Sequence, residues 1–348
     1  MRSTIAGWAA GGALACATAC GPDISEPWQI LEAIDLGMTL SLEAPGAFSQ
    51  PLPDPGMRPY HQVLPLDELR VTPSVVDLDG PVAPEDLEFR YVVCPSTECG
   101  EALNRADGDL PTCDDSGETE VPCLLTADPA GTGTFIVPTL VQASVGDPGA
   151  AFPTNGIAAI GSLVGAPGAD ECVGRLRDRT PLGGCFVLFR SISFGPQRTF
   201  LELLDEAGAD IDLDEVSEAA LAAPRNRIPQ VDGITITVGT SSGVAAPGST
   251  IEVSTGDRVA MQWVPSDADF DEYTVLTEDG TELLVSDVLI GAWWTTDDAN
   301  SFEVDEFSGT SVDWVVGNEP GTKFVYLVVR DGSGAESLAW FRFEVSQG

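Results

Sequence analysis

The chain has 348 residues, with 55 acidic and 16 basic side chains, and its formal net charge is −39. Such a field repels phosphate backbones and anionic lipid surfaces, which excludes nucleic acid as a partner and favours divalent cations or basic proteins. The charge alone does not establish a binding role, because GC-rich codon usage or adaptation to salt would also produce it. All bases but Lys323 are arginine.

Residues 1–19 predict a secretory signal peptide. Arg2 precedes an apolar run that ends at Ala19 and is too short to span a membrane. Cys20 follows small residues, and the segment resembles a bacterial lipobox, which implies that the Cys20 thiol carries lipid and anchors the chain to a membrane. Gly21, in place of aspartate, favours the outer membrane under the sorting rule of familiar Gram-negative bacteria.

Cysteine parity favours lipidation at Cys20 over the overlapping candidate Cys16, with secretion without lipid as a further alternative. Cleavage before Cys20 leaves an even set, which in an exported chain predicts disulfides: Cys94, Cys99, Cys113, Cys123, Cys172 and Cys185. Cys172 with Cys185 would form a local bridge, and the other pairings stay open. Zinc is disfavoured, because no Cys-x2-Cys pair occurs and His61, the single histidine, lies outside the cluster.

The mature chain divides by composition into a tether, a linker and two domains. Residues 20–65 are rich in proline and predict a lipid-anchored tether. Residues 66–224 predict a disulfide-containing, mainly β domain, with strands such as Leu87 to Val93. A short helix is expected near its end, because Leu213, Val216, Ala220 and Leu221 share one helical face.

Residues 225–233 predict a linker, because the polar segment from Pro224 to Pro229 has a proline at each end. Residues 234–348 predict a second β-sandwich. About seven short strands are expected there, and Lys323 to Val329 is apolar on both faces, which is typical of a central strand. The fold class is therefore mainly β, with two β-sandwich-like domains.

The segment from Pro320 to Gly334, a Pro-Gly turn before a strand that ends in Asp331-Gly332-Ser333-Gly334, is similar to the last hairpin of PKD-like and other immunoglobulin-like surface domains. The Trp293-Trp294 strand is similar to their tryptophan-centred strand. The whole arrangement resembles lipoproteins of myxobacterial type. The resemblance implies a cell-surface or periplasmic module without a defined chemistry.

An acidic cluster is the candidate metal site. Asp267, Asp269 and Asp271, with Glu278 at the twelfth position, have the spacing of an EF-hand loop, but Glu272 stands where that loop needs glycine. A looser Ca²⁺ site is the remaining functional interpretation, and a solvated acidic loop is the alternative. No other cofactor is expected.

Trp293 and Trp294 are candidates for stacking on a sugar ring or a protein partner, because adjacent strand residues point to opposite faces and one of them can meet solvent. Core packing is the alternative. A Ser-His-Asp enzyme is disfavoured, since His61 lies in a proline-rich segment and Gly-x-Ser-x-Gly does not occur.

Together these features predict a non-catalytic cell-envelope lipoprotein that acts as a surface binding, adhesive or structural module for an envelope protein or glycan. The alternatives are a carbohydrate-binding or glycan-acting envelope protein and a calcium-dependent adhesion module.

Overall fold

The computed structural model describes residues 29–47, 49, 56, 58–95, 99, 110–113, 122–125, 133–137, 155–165, 167–192, 225–265, 272–276, 282–286, 288–297, 302–303 and 309–348. Its first half contains, in chain order, β1 (Ile34–Ala44), β2 (Glu68–Asp77), β3 (Gly80–Pro81), a 3-10 turn (Pro84–Asp86), β4 (Leu87–Pro95), β5 (Cys123–Leu124), β6 (Gly133–Ile136), β7 (Asn155–Leu163), α1 (Ala169–Arg177) and β8 (Phe186–Ser191).

These strands form two sheets that pack face to face. In the first sheet β1, β3 and β6 all pair with β2, and the second sheet has the order β5-β4-β7-β8. Alternating side chains of both sheets fill the core between them, among them Met38, Leu69, Phe89, Tyr91 and Ile157. The first half is therefore a β-sandwich.

Helix α1 covers the outer face of the second sheet. Its Val173 packs on Val92 and Ile160, and the Cys172–Cys185 disulfide ties the helix to the chain entering β8. The sequence supports this helix locally, because Asp170 and Glu171 lie in its first turn and arginines lie in its last, which complements the helix dipole.

The second half contains β9 (Ile234–Val238), β10 (Ser241–Ala245), β11 (Thr250–Ser254), β12 (Arg258–Trp263), β13 (Glu272–Leu276), β14 (Glu282–Ser286), β15 (Ile290–Thr295), β16 (Phe302–Glu303), β17 (Ser311–Val315), β18 (Gly321–Arg330) and β19 (Glu336–Ser346). One sheet has the order β10-β9-β12-β17-β16 and the other β11-β19-β18-β15, while β13 and β14 form a separate hairpin. Strict alternation in β12 turns Val259, Met261 and Trp263 into the core between the sheets.

The two halves pack directly on each other. Phe324, Tyr326 and Val328, on the outer face of β18, contact Leu36 of β1 and Val76 of β2. Four sheets are thereby stacked, and β18 is buried on both faces, by the sandwich core on one side and the first half on the other. The predicted central strand is confirmed.

The predicted mainly β fold with two sandwiches and disulfides is confirmed, but the tether is wrong where the structure describes residues 20–65. Strand β1 lies inside that range, and Met38, Leu40 and Leu64 are buried. The described prolines, Pro45, Pro59 and Pro65, lie after β1 and outside strands, while the apolar alternation from Leu36 to Leu40 forms a strand. The helix predicted around Leu213 lies outside the described residues.

Candidate functional site

The outer face of the five-stranded sheet carries exposed and half-buried side chains of mixed polarity. We call it the polar sheet face and define it by seven residues of β9, β12 and β17: Thr235, Thr237, Arg258, Ala260, Gln262, Ser311 and Asp313. They point outward because their neighbours Ile236, Met261 and Val312 point into the core.

Ala260 creates a depression in the polar sheet face. It is paired with Thr237 on one neighbouring strand and with Asp313 on the other. Two larger side chains therefore flank a position that carries only a methyl group. The depression has a volume of about 220 Å³. A second hollow of about 300 Å³ continues past Arg258 and Val315.

The chemistry of this face suits a polar ligand. Thr235, Thr237 and Ser311 offer hydroxyl groups, and Gln262 offers a carboxamide that both donates and accepts. Within the described ranges, Arg258 and Asp313 make no ion pair, so both charges are available to a ligand. The contacts that the described residues of the first half make with β18 involve the other sheet.

A second group of polar residues is buried at the seam between the halves. Residues 225–228 of the predicted linker 225–233 lie in this seam, where Tyr60 pairs with Arg227. Arg225 and Asp67 form an ion pair of 2.8 Å with both side chains at most 1% exposed. Asn226 donates from Nδ2 to Asp331 Oδ2 at 2.7 Å. Buried polar groups need such partners, so the packing of the two halves depends on matched polar contacts as well as on apolar ones.

Glu336 is the centre of an ionic cluster in the same seam. It is 4% exposed and pairs with Arg330 (Nε to Oε2, 2.8 Å) and with Arg190, and it accepts the backbone N–H of Met38. Burial, assisted by the nearby Arg330 charge, lowers the pKa of Arg190 to about 10. One carboxylate thus links β1, β8, β18 and β19.

His61 is also inside the seam. It is 2% exposed, and its Nδ1 lies 3.2 Å from the carbonyl oxygen of Leu40. Burial lowers the pKa of His61, although the Asp331 charge opposes this, so the imidazole is held neutral. This position packs the halves together and gives a solvent-borne substrate no access.

The two tryptophans proposed for ligand stacking point to opposite faces, as the strand alternation predicts. Trp293 is 3% exposed in the sandwich core and donates to the Gly309 carbonyl at 3.2 Å, so its assignment as a stacking residue is wrong. Trp294 is half-buried against the apolar seam. The first half covers the face that was expected to meet solvent.

The six cysteines are joined as Cys94–Cys99, Cys113–Cys123 and Cys172–Cys185. The local Cys172–Cys185 bridge is confirmed, and the zinc alternative is wrong because no thiolate remains among these residues.

Two of the predicted sites lie outside the described residues: the lipidation site Cys20 and the Ca²⁺ candidates Asp267, Asp269 and Asp271. Within the described part, no group of three potential metal ligands comes together. The same part contains no helical segment with the length and hydrophobicity that spanning a bilayer requires.

Comparison with known proteins gives no family. No family model and no curated protein matches the chain. Similar solved structures include a nucleoside hydrolase-related hypothetical protein from Saccharophagus degradans (15% identity, 52% of this chain and 39% of that one, TM-score 0.22). The fibronectin(III)-like modules of Clostridium thermocellum CbhA match at 8% identity over 89% and 94% of the two chains, with a TM-score of 0.20. Dimeric latent PorU from Porphyromonas gingivalis matches at 12% identity over 89% and 24%, with a TM-score of 0.21.

The chain therefore spans well under half the length of the first of these structures. At such low TM-scores the likenesses carry no functional conclusion.

Proposed function

We propose that this chain is a non-catalytic lipoprotein of the cell envelope, held in the outer membrane through Cys20, which acts as a surface binding, adhesive or structural module. The observation that supports binding most directly is the polar sheet face, a surface of exposed and half-buried side chains with a depression at Ala260. The three disulfides support export, because such bridges persist in oxidising compartments.

The anchor is tested by metabolic labelling with a palmitate analogue in a Gram-negative host. Wild type should incorporate the label, and Cys20→Ser should not. Label that survives Cys20→Ser, or wild type without label, would contradict the proposed anchor.

A carbohydrate ligand is the second candidate. The hydroxyl, carboxamide, guanidinium and carboxylate groups around Ala260 can donate to and accept from a polyol. Without the two tryptophans as stacking residues, this face would recognise a sugar by hydrogen bonds and not by stacking against an aromatic ring.

A glycan array probes this candidate with two matched variants. Ala260→Arg fills the depression in the polar sheet face, whereas Ala246→Arg adds the same side chain at another exposed alanine of the sandwich. We expect Ala260→Arg to lose the glycan signal and Ala246→Arg to retain it. Equal signals from both variants would show that the polar sheet face is not the binding site. The absence of a signal from wild type would contradict a glycan ligand.

A further inference from the structure

Asp297 is a buried acid whose two carboxylate oxygens have different surroundings. It follows β15 and is fully buried. Oδ2 accepts from the indole Nε1 of Trp314 at 3.1 Å and from the backbone N–H of Gly317 at 2.8 Å. Oδ1 accepts no hydrogen bond within the described residues and lies 3.4 Å from Lys323 Nζ.

Lys323 is the only lysine in 348 residues. Its side chain is 14% exposed. The other ion pairs of the described seam and strands use arginine, as in Arg225–Asp67 and Arg70–Glu43. Arginine is also the usual choice for a buried pair, because its planar guanidinium binds a carboxylate through two hydrogen bonds. Ion pairing therefore does not explain why this one position carries a primary amine.

The strand register places the amine and the acid opposite each other. Thr295 of β15 is paired with Val325 of β18, so continuation of the antiparallel ladder by two residues sets Asp297 against Lys323. Phe324 holds this extension in place, because its N–H donates to Thr296 Oγ1 at 2.8 Å and its carbonyl accepts from Thr296 N–H.

The backbone at Gly317 is fitted to the carboxylate. A Cβ at this position would lie 2.7 Å from Asp297 Oδ1 and 3.0 Å from Oδ2, so any side chain there would force the carboxylate to move. Glycine thus lets the Gly317 N–H reach Oδ2. With the indole of Trp314, it forms a two-donor cradle on one oxygen and leaves the other facing the amine.

We propose that Asp297 and Lys323 condense to an intramolecular isopeptide bond. The condensation begins with the passage of one proton from the Lys323 ammonium to Oδ1, which frees the Nζ lone pair. The Nζ lone pair attacks Cγ, and the C–Oδ1 bond breaks. A second proton from Nζ leaves with the Oδ1 hydroxyl as water, so one amide and one water form and no other reactant is consumed.

The site supplies two elements of catalysis for this step. The two N–H donors stabilise the negative charge that develops on Oδ2 in the tetrahedral intermediate, as an oxyanion hole does. The 3.4 Å approach of nucleophile and acid replaces a collision between separate molecules by an oriented contact. The product would join β15 to β18 covalently, next to the end of β17.

Intact mass of the purified, reduced and denatured full chain tests the proposal. Wild type should be lighter by one water molecule than the mass calculated for the same processed and lipidated chain, and a lysine-specific protease should not cut after residue 323. Lys323→Arg, which retains the charge, and Asp297→Ala should both have their full sequence masses. Asp297→Asn should lose ammonia and give a product of the same mass as cross-linked wild type.

Two results would overturn the inference. One is wild type at its full sequence mass with complete cleavage after Lys323. The other is a water loss that persists in Lys323→Arg, which would assign it to dehydration elsewhere. Because the main measurement is made on denatured wild type, a variant that fails to fold does not affect it.

Discussion

Replacement of Glu336 by glutamine measures how strongly the ionic cluster holds the two halves together. The variant retains the size of the side chain and the acceptor for the Met38 N–H, but it leaves Arg190 and Arg330 without their common carboxylate. Loss of one member of a buried pair typically costs about 3–5 kcal/mol, because the remaining charge stays buried without compensation. We expect the lower end, about 3 kcal/mol, because the Arg330 side chain is 41% exposed and water can screen it.

Glu344→Gln is the matched control. Glu344 lies on the same strand, β19, and pairs with an arginine, Arg342, at 2.5 Å, but the two side chains are 38% and 46% exposed. Surface pairs of this kind contribute below about 1 kcal/mol. The two substitutions remove the same charge from the same strand and differ in burial.

Urea unfolding followed by tryptophan fluorescence, with the disulfides intact, gives the two free energies of unfolding. Amide exchange in β1 gives a local measurement, and we expect protection there to fall in Glu336→Gln only. Equal losses in both variants, or a Glu336→Gln variant as stable as wild type, would refute the assignment of Glu336 as the electrostatic centre of the seam.

Two further predictions concern buried side chains of the seam. Burial lowers the pKa of His61 from its ordinary 6.5, so the unfolded chain takes up the proton first and stability is lost as the pH falls below about 6.5. His61→Gln should reduce the difference in unfolding free energy between about pH 7.5 and about pH 5.5, and an unchanged difference would contradict the neutral, buried state. Tyr326→Phe should stabilise the protein by about 1 kcal/mol or more, because the hydroxyl is buried without a hydrogen-bond partner in the described part of the chain. A lower midpoint of thermal unfolding in this variant would show that the hydroxyl has a partner.

Local patterns in the sequence predicted much of the second half. The alternation in Ile234–Val238 and the two-sided apolar run in β18 correspond to observed strands. The same run did not reveal what covers its outer face, because the covering residues, such as Leu36, lie almost 300 positions away. Proline content concealed β1, since the described prolines of this range, Pro45, Pro59 and Pro65, all follow the strand in the chain and none lies within it.

The site residues show the same division between local and long-range information. Strand alternation predicted that Trp293 and Trp294 diverge, but only the tertiary packing decides that neither is freely exposed. For Asp297 and Lys323 the sequence did carry a signal, the presence of one lysine among fifteen arginines. Its meaning depends on the register of β15 and β18, which composition cannot supply.

The double coverage of β18 has a consequence for biosynthesis. Leu36 and Val76 belong to the part of the chain that is made first, whereas their partners Phe324 and Tyr326 are among the last residues to be synthesised. During this interval the first half presents an apolar sheet face to water and to other unfinished chains, which promotes aggregation. A nascent chain that stalls before residue 321 would keep that face exposed, so holdase chaperones are expected to bind truncated chains more strongly than complete ones.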